Sequence, residues 1–112
     1  MPHSGEGYGR IVDILEAIDK IASFTNGLDE ASFFSNPLVR DAVVWNLTVI
    51  GEAAGAVPAS VRDAHPDVPW ARMRGLRNLL VHEYFGIDDE IIWSTVTNNI
   101  LPLAEALREI LP

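Results

Sequence analysis

Apolar residues at Ile11, Ile14, Leu15, Ile18, Ile21 and Ala22 recur at the spacing of one helical face, while Asp13, Glu16, Asp19 and Lys20 fill the other. This pattern predicts a first helix from about Tyr8 to Thr25, stopped by Asn26-Gly27, a pair suited to the left-handed conformation at a helix end. A short helical turn is expected around Asp29 to Phe34. Asn36-Pro37 reads as an N-cap followed by proline at the first helical position, opening a long helix to about Ala56 that Pro58 closes. Two apolar stripes run along it, one through Val43, Leu47, Ile50 and Ala54, the other through Ala42, Trp45, Val49 and Ala53. A helix that is apolar on two sides needs cover on two sides, so it is either central in a bundle or shared with another subunit.

From Pro58 to Pro69 the chain is polar and broken by proline, a connection in which Ala59 to Ala64 can form one or two helical turns. Pro69 then starts a helix that the pattern carries to about Tyr84, before Gly86 ends it. Asp88 and Asp89 put negative charge at the start of the last helix, where the helix dipole favours it. Its buried stripe is Ile92, Val96, Ile100, Leu103, Leu107 and Ile110. Pro102 interrupts that stripe and should kink the helix near Asn98 to Leu101, because it lacks a backbone donor and clashes with the preceding turn. Four substantial helices joined by short connections imply an all-α fold, an antiparallel four- to five-helix bundle with a kinked last helix. Residues 10–112 form that domain, and residues 1–9, with three glycines and no apolar run, read as a flexible lead-in rather than a signal peptide.

At 112 residues the chain is long enough for one domain with its own core. It has no cysteine, which removes disulfides, thiolate metal sites and thiol nucleophiles and makes the cytoplasm the expected compartment. No uncharged run reaches the about 20 residues that a membrane-spanning helix needs; the longest, Ile91 to Ala104, falls short of it and contains Pro102. A formal charge of -8 argues against broad, non-specific binding to nucleic acid. The distribution alters this picture: of eight basic residues, Arg72, Arg74 and Arg77 fall close together, and no acid intervenes between Asp67 and Glu83. A local cationic spot on an acidic body is implied.

On a wheel at about 100° per residue, Arg77, Arg74, Asn78 and His82 follow one another around one arc of the Trp70 to Tyr84 helix. Met73, Leu76, Leu79 and Leu80 take the opposing arc, and Tyr84 returns to the edge of Arg77 two turns later. An ordinary amphipathic helix with solvated arginines would show the same wheel. The distinguishing feature is the combined sequence Arg77-Asn78-Leu79-Leu80-Val81-His82-Glu83-Tyr84: an arginine, four residues, a histidine, one residue and a tyrosine.

With this motif the chain resembles the HEPN superfamily, specifically the HepT toxins encoded beside a minimal nucleotidyltransferase antitoxin, MntA. Arg40-Asp41-Ala42-Val43, Ile50-Gly51-Glu52-Ala53, His65-Pro66-Asp67-Val68-Pro69-Trp70, Arg77-Asn78 and His82-Glu83-Tyr84-Phe85 all look like HepT segments, in the right order. The resemblance implies a homodimeric ribonuclease toxin of a type VII toxin–antitoxin system that cuts RNA without a metal or other cofactor, with Arg77 and His82 catalytic. It also implies that the MntA-like antitoxin, using ATP, attaches AMP to Tyr84 and so blocks RNA; otherwise Tyr84 simply packs its ring at a helix end and hydrogen-bonds a neighbour. The residue types suit this chemistry. Imidazole titrates near neutrality and can move protons, while the guanidinium fork stays charged and holds two phosphate oxygens. Asn78 and Arg74 would support the site. On one helix Arg77 and His82 diverge by about 140°, awkward for a site within one subunit and natural for a shared one. The alternative is a non-catalytic helical module whose arginine face docks a nucleotidyltransferase or a nucleotide.

Other residues carry less. Glu52, in an apolar stretch, is either exposed through a gap or paired with an arginine such as Arg74. His3 and His65 lack ligand spacing with His82, so no metal site is expected. Trp45, Trp70 and Trp93 read as core or interface anchors, and no glycine-rich phosphate loop is present.

Overall fold

Two helix starts in the first half of the chain, those of the second and third helices, are fixed by side-chain caps. A computed structural model describes residues 7–112. Helix α1 (Gly9–Thr25) is followed by Gly27 at a φ of 78°, the left-handed backbone that Asn26-Gly27 was suited to supply. Helix α2 (Glu30–Phe34) opens with a reciprocal capping box between Asp29 and Ser32, and the Ser32 hydroxyl and amide hold the Asp29 carboxyl below its ordinary pKa. In α3 (Pro37–Ala56) the Asn36 side chain accepts from the Val39 amide and Pro37 fills the first turn. Helix α4 (Ala59–Ala64) bridges to α5 (Trp70–His82).

The long helix is the central one. Helix α3 packs most extensively against α1 on one side and α5 on the other; its stripe through Val43, Leu47, Ile50 and Ala54 is buried there, whereas of the other stripe only Ala53 is buried, Ala42 and Val49 are half-buried and Trp45 is exposed. Gly7, just before α1, lies beside Val61 and Pro58, just after α3, so α1 and α3 run antiparallel. Arg77 meets Glu52, whereas the later Tyr84 meets the earlier Asp41, so α3 and α5 are antiparallel too. The core joins Ile11, Ile14, Ile18 and Ile21 of α1 to Val43, Leu47 and Ile50 of α3 and to Phe33, Ile92 and Leu107. Trp93 stacks at a tilt on Phe33, with ring centroids 5.0 Å apart. No helix among the described residues is long and apolar enough to cross a membrane.

The last predicted helix is kinked to the point of division. It appears as α6 (Asp89–Asn98) and α7 (Ile100–Ile110), separated at Asn99. Pro102 cannot donate to the Asn98 carbonyl, so the helical ladder fails where proline removes a rung. The expected lead-in over residues 1–9 lies mainly outside the described residues, as does His3; within it, Tyr8 packs against the core and its hydroxyl is 3.2 Å from His65 Nε2.

Candidate active site on the arginine-bearing helix

The fifth helix is held to the third by an unusually close approach. A Cβ added to Gly51 would fall 2.1 Å from Arg77 Cβ and 2.7 Å from the Met73 carbonyl, so only glycine lets these helices meet here. This contact fixes the rotation of α5. Met73 and Leu80 are buried and Leu76 is partly so, as the wheel implied, but Leu79 is 39% exposed. The buried arc is turned toward Arg77 because α3 lies beneath Met73, Arg77 and Leu80. Leu79, the apolar residue farthest from that line, is left on the surface.

Arg77 is consequently half-buried and held in place. Its Nε donates to Glu52 and its Nη1 donates to Asn78 Oδ1 at 3.1 Å. Glu52 is therefore paired, and with Arg77 rather than Arg74. The remaining protons on the terminal nitrogens of Arg77 have no hydrogen-bond partner among the described residues, and this edge of a guanidinium can grip two oxygens of an anion. Arg74 lies over Gly55, and Arg74, Arg77, Asn78 and Glu52 together line an open hollow of about 350 Å³. His82 is not part of this hollow. It stands exposed on the last turn of α5 and makes no hydrogen bond among the described residues.

Tyr84 departs from the sequence expectation. Helix α5 ends at His82, and Glu83 leads into a 3-10 turn (Tyr84–Gly86). The wheel that put Tyr84 on the edge of Arg77 therefore no longer applies. Its hydroxyl instead donates to Asp41 Oδ1 at 2.8 Å, and Arg40 sits 5.4 Å from its ring centroid. Arg40 also bonds Asp89 at the start of α6 and lies 3.5 Å from Asp41 Oδ1. The hydrogen bond to Asp41 and the loss of solvent keep the Tyr84 phenol protonated to higher pH than usual, while Asp89 holds Arg40 more firmly protonated. Sequence reasoning gave Arg40, Asp41 and Asp89 no part in the site. Their spacing along the chain carries no signal, because only the end of α5 and the start of α6 bring them together.

The tryptophans differ in burial. Trp70 is buried, Trp93 rests on Phe33, and Trp45 is 67% exposed on α3. Trp45, Val81 and Tyr84 line a second shallow depression, with Phe85 fully exposed nearby in sequence. No three or more potential metal ligands stand together among the described residues.

An all-α bundle that exposes arginines, an asparagine and, outside their hollow, a histidine along one helix carries the residue types that phosphate binding and proton transfer require. The sequence comparisons make this specific: the family model for "Ribonuclease HepT-like" matches residues 14–110, and the chain belongs to this HepT-like ribonuclease family of the HEPN superfamily. The chain is similar to "Putative RNase MJ1380" of Methanocaldococcus jannaschii, with 40% identity over 80% of this chain and 83% of that protein. It is also similar to "Probable ribonuclease HepT" of Thermococcus cleftensis, at 38% identity over 79% and 80%, and to "Putative RNase TTE0752" of Caldanaerobacter subterraneus, at 36% over 88% of each. No solved structure matches the chain.

Proposed function

We propose that this chain is a metal-independent endoribonuclease whose active site is completed by a second copy of itself. In the cytoplasm it acts as the toxin of a type VII toxin–antitoxin pair. Membership of the HepT-like family and the ribonuclease names of its relatives support RNA as the substrate. The observation that carries the composite site is the division of the motif. Arg74, Arg77 and Asn78 share one hollow, and His82 stands outside it. One subunit thus offers phosphate-binding groups and a proton-transfer group that do not converge. A twofold partner brings the His82 of one copy toward the Arg77 of the other. The uncovered apolar side chains of Trp45, Leu79, Val81 and Phe85, on or beside this face, give such a dimer surface to bury.

In the assembled site an RNA phosphate lies against the outer edge of Arg77, with Asn78 and Arg74 contributing hydrogen bonds and charge. Attack by the neighbouring 2'-hydroxyl builds negative charge on phosphorus, which the arginine stabilises. His82 transfers a proton in this step, either from the nucleophile or to the leaving 5'-oxygen. Neutralisation follows when a cognate nucleotidyltransferase moves AMP from ATP to Tyr84, beside the same face. The helical bundle domain of residues 10–112 carries this activity.

Expression without a partner should arrest growth and degrade RNA, while Arg77→Ala and His82→Ala should do neither. Mixing the two inactive variants should restore part of the activity, because a mixed dimer contains one intact pairing. Equal toxicity in all three forms, or in none, would refute the enzyme; inactive single variants with no recovery on mixing would refute the shared site. The non-catalytic docking alternative predicts RNA left intact by every form.

A further inference from the structure

The contacts around Tyr84 form a second chemical constellation, separate from the RNA-binding hollow. Its hydroxyl donates to Asp41 at 2.8 Å, the same carboxylate oxygen is 3.5 Å from Arg40 Nη1, and Arg40 is anchored through Nε to Asp89. Asp41 remains 60% exposed, so a second protein can approach the hydroxyl and the carboxylate together. A phenol attacks phosphorus poorly until its proton departs, and a base must lie within hydrogen-bond reach to receive it. Asp41 meets that geometric requirement, and three separate elements hold the arrangement: the start of α3, the turn after α5 and the start of α6.

We propose that Asp41 is the catalytic base of Tyr84 modification, with Arg40 as the residue that positions its carboxylate. The inference rests on the reading of Tyr84 as the adenylylation site. Tyr84 Oη attacks the α-phosphorus of a nucleoside triphosphate held by the nucleotidyltransferase. The bond from Oη to phosphorus forms, the bond from that phosphorus to the bridging oxygen breaks, and pyrophosphate leaves with the electron pair. The phenol proton passes to Asp41 and then to water. The raised Tyr84 pKa fits this role, since little tyrosinate is present beforehand and the proton must be removed during attack.

A purely structural bond, tying the 3-10 turn to α3, predicts different kinetics. The full chain, its nucleotidyltransferase and ATP are incubated, and AMP addition is followed by intact mass across neutral and mildly alkaline pH. Asp41→Asn keeps a hydrogen-bond acceptor but cannot take a proton. It is expected to lower kcat by about 100-fold with little change in KM. Its rate relative to wild type should climb with pH, as the phenol ionises unaided. Formate should restore part of the rate to Asp41→Ala, whose vacated, solvent-open position admits a small carboxylate. A wild-type kcat in Asp41→Asn, or a rate ratio constant with pH and no formate rescue, overturns the proposal. If the wild type accepts no AMP, or Tyr84→Phe accepts it equally well, the reading of Tyr84 fails first and the proposal with it.

Discussion

Replacing Gly51 by alanine offers the sharpest test of how the motif helix is seated. In a helix interior, glycine to alanine ordinarily stabilises by up to about 1 kcal/mol, because alanine has less backbone freedom to lose. At Gly51 the new methyl would stand 2.1 Å from Arg77 Cβ, 2.7 Å from the Met73 carbonyl oxygen and 3.1 Å from Arg77 Cα. Two of these three are backbone atoms, which no rotamer change can move aside. To reach ordinary contact, α3 and α5 must separate by roughly 1 Å along most of their shared surface, disturbing close-packed side chains such as Met73 and Leu80. Overpacking of this kind costs about 1–3 kcal/mol, and the backbone clash places this case at the upper end, leaving a net loss of about 2 kcal/mol. For a chain of this size that lowers Tm by about 8 °C. Gly75, on the same motif helix, provides the control: nothing lies within 4 Å of its added Cβ, so Gly75→Ala should raise Tm by about 4 °C. Thermal melts of the three proteins at equal concentration, followed by circular dichroism, make the comparison. A Gly51→Ala protein that melts with or above the wild type would refute the close approach and the rotation of α5 derived from it.

Phe33→Ala removes a fully buried ring stacked on Trp93 and should cost about 3–5 kcal/mol, read from urea unfolding midpoints; a loss under 1 kcal/mol would mean the ring is not part of the core. The Tyr84 phenol, held protonated above its ordinary 10.0 by Asp41, contributes stability that is present below that value and lost as pH rises through the raised one. Ultraviolet titration of the folded wild type against Tyr84→Phe should therefore reveal a phenol ionising late, and Asp41→Asn should make it ionise earlier; identical curves for the wild type and Asp41→Asn would contradict the contact. For RNA, if Arg74 and Arg77 from two subunits meet phosphate, a His82→Ala protein should bind with a log–log salt slope of about -3, falling to about -1.5 in the additional Arg74→Gln variant. An unchanged slope would remove Arg74 from the interface.

Much of this architecture was written in local signals. Asn36-Pro37, Asn26-Gly27 and Pro102 act through their own backbone and the residues beside them, so the boundaries they set were legible without tertiary context. The exposure of Leu79 and the pairing of Glu52 were not, because both depend on how far α5 rotates against Gly51, a property of two helices together. The same limit applies to Tyr84. Extending the helical wheel past His82 assumed two more helical residues, and the 3-10 turn sends the side chain to Asp41 instead of Arg77. Thus the motif offered Arg77, His82 and Tyr84 as candidates, while their neighbours were available only from the fold.

A carboxylate beside the arginine proposed to bind RNA presents a conflict that magnitudes resolve. Glu52 neutralises part of the Arg77 charge, and it repels a phosphate bound to the opposite edge of the guanidinium. Across that guanidinium the two anions stand roughly 6 Å apart, and in the water-like dielectric of an open hollow their repulsion is about 0.7 kcal/mol. Against this stands the freedom of an arginine side chain, worth about 2 kcal/mol of rotamer entropy when it must be ordered at the moment of binding. Glu52 from below and Asn78 from the side have already ordered it, with the outer edge of the fork exposed. Pre-orientation therefore outweighs repulsion at this partly solvated position, and it would cease to do so if the hollow were dry. The protein's charge acts the same way on a larger scale: a body of net charge -8 repels RNA, and the exception proposed above is the one helix where Arg72, Arg74 and Arg77 lie close together and Arg77 is already ordered by Glu52 and Asn78.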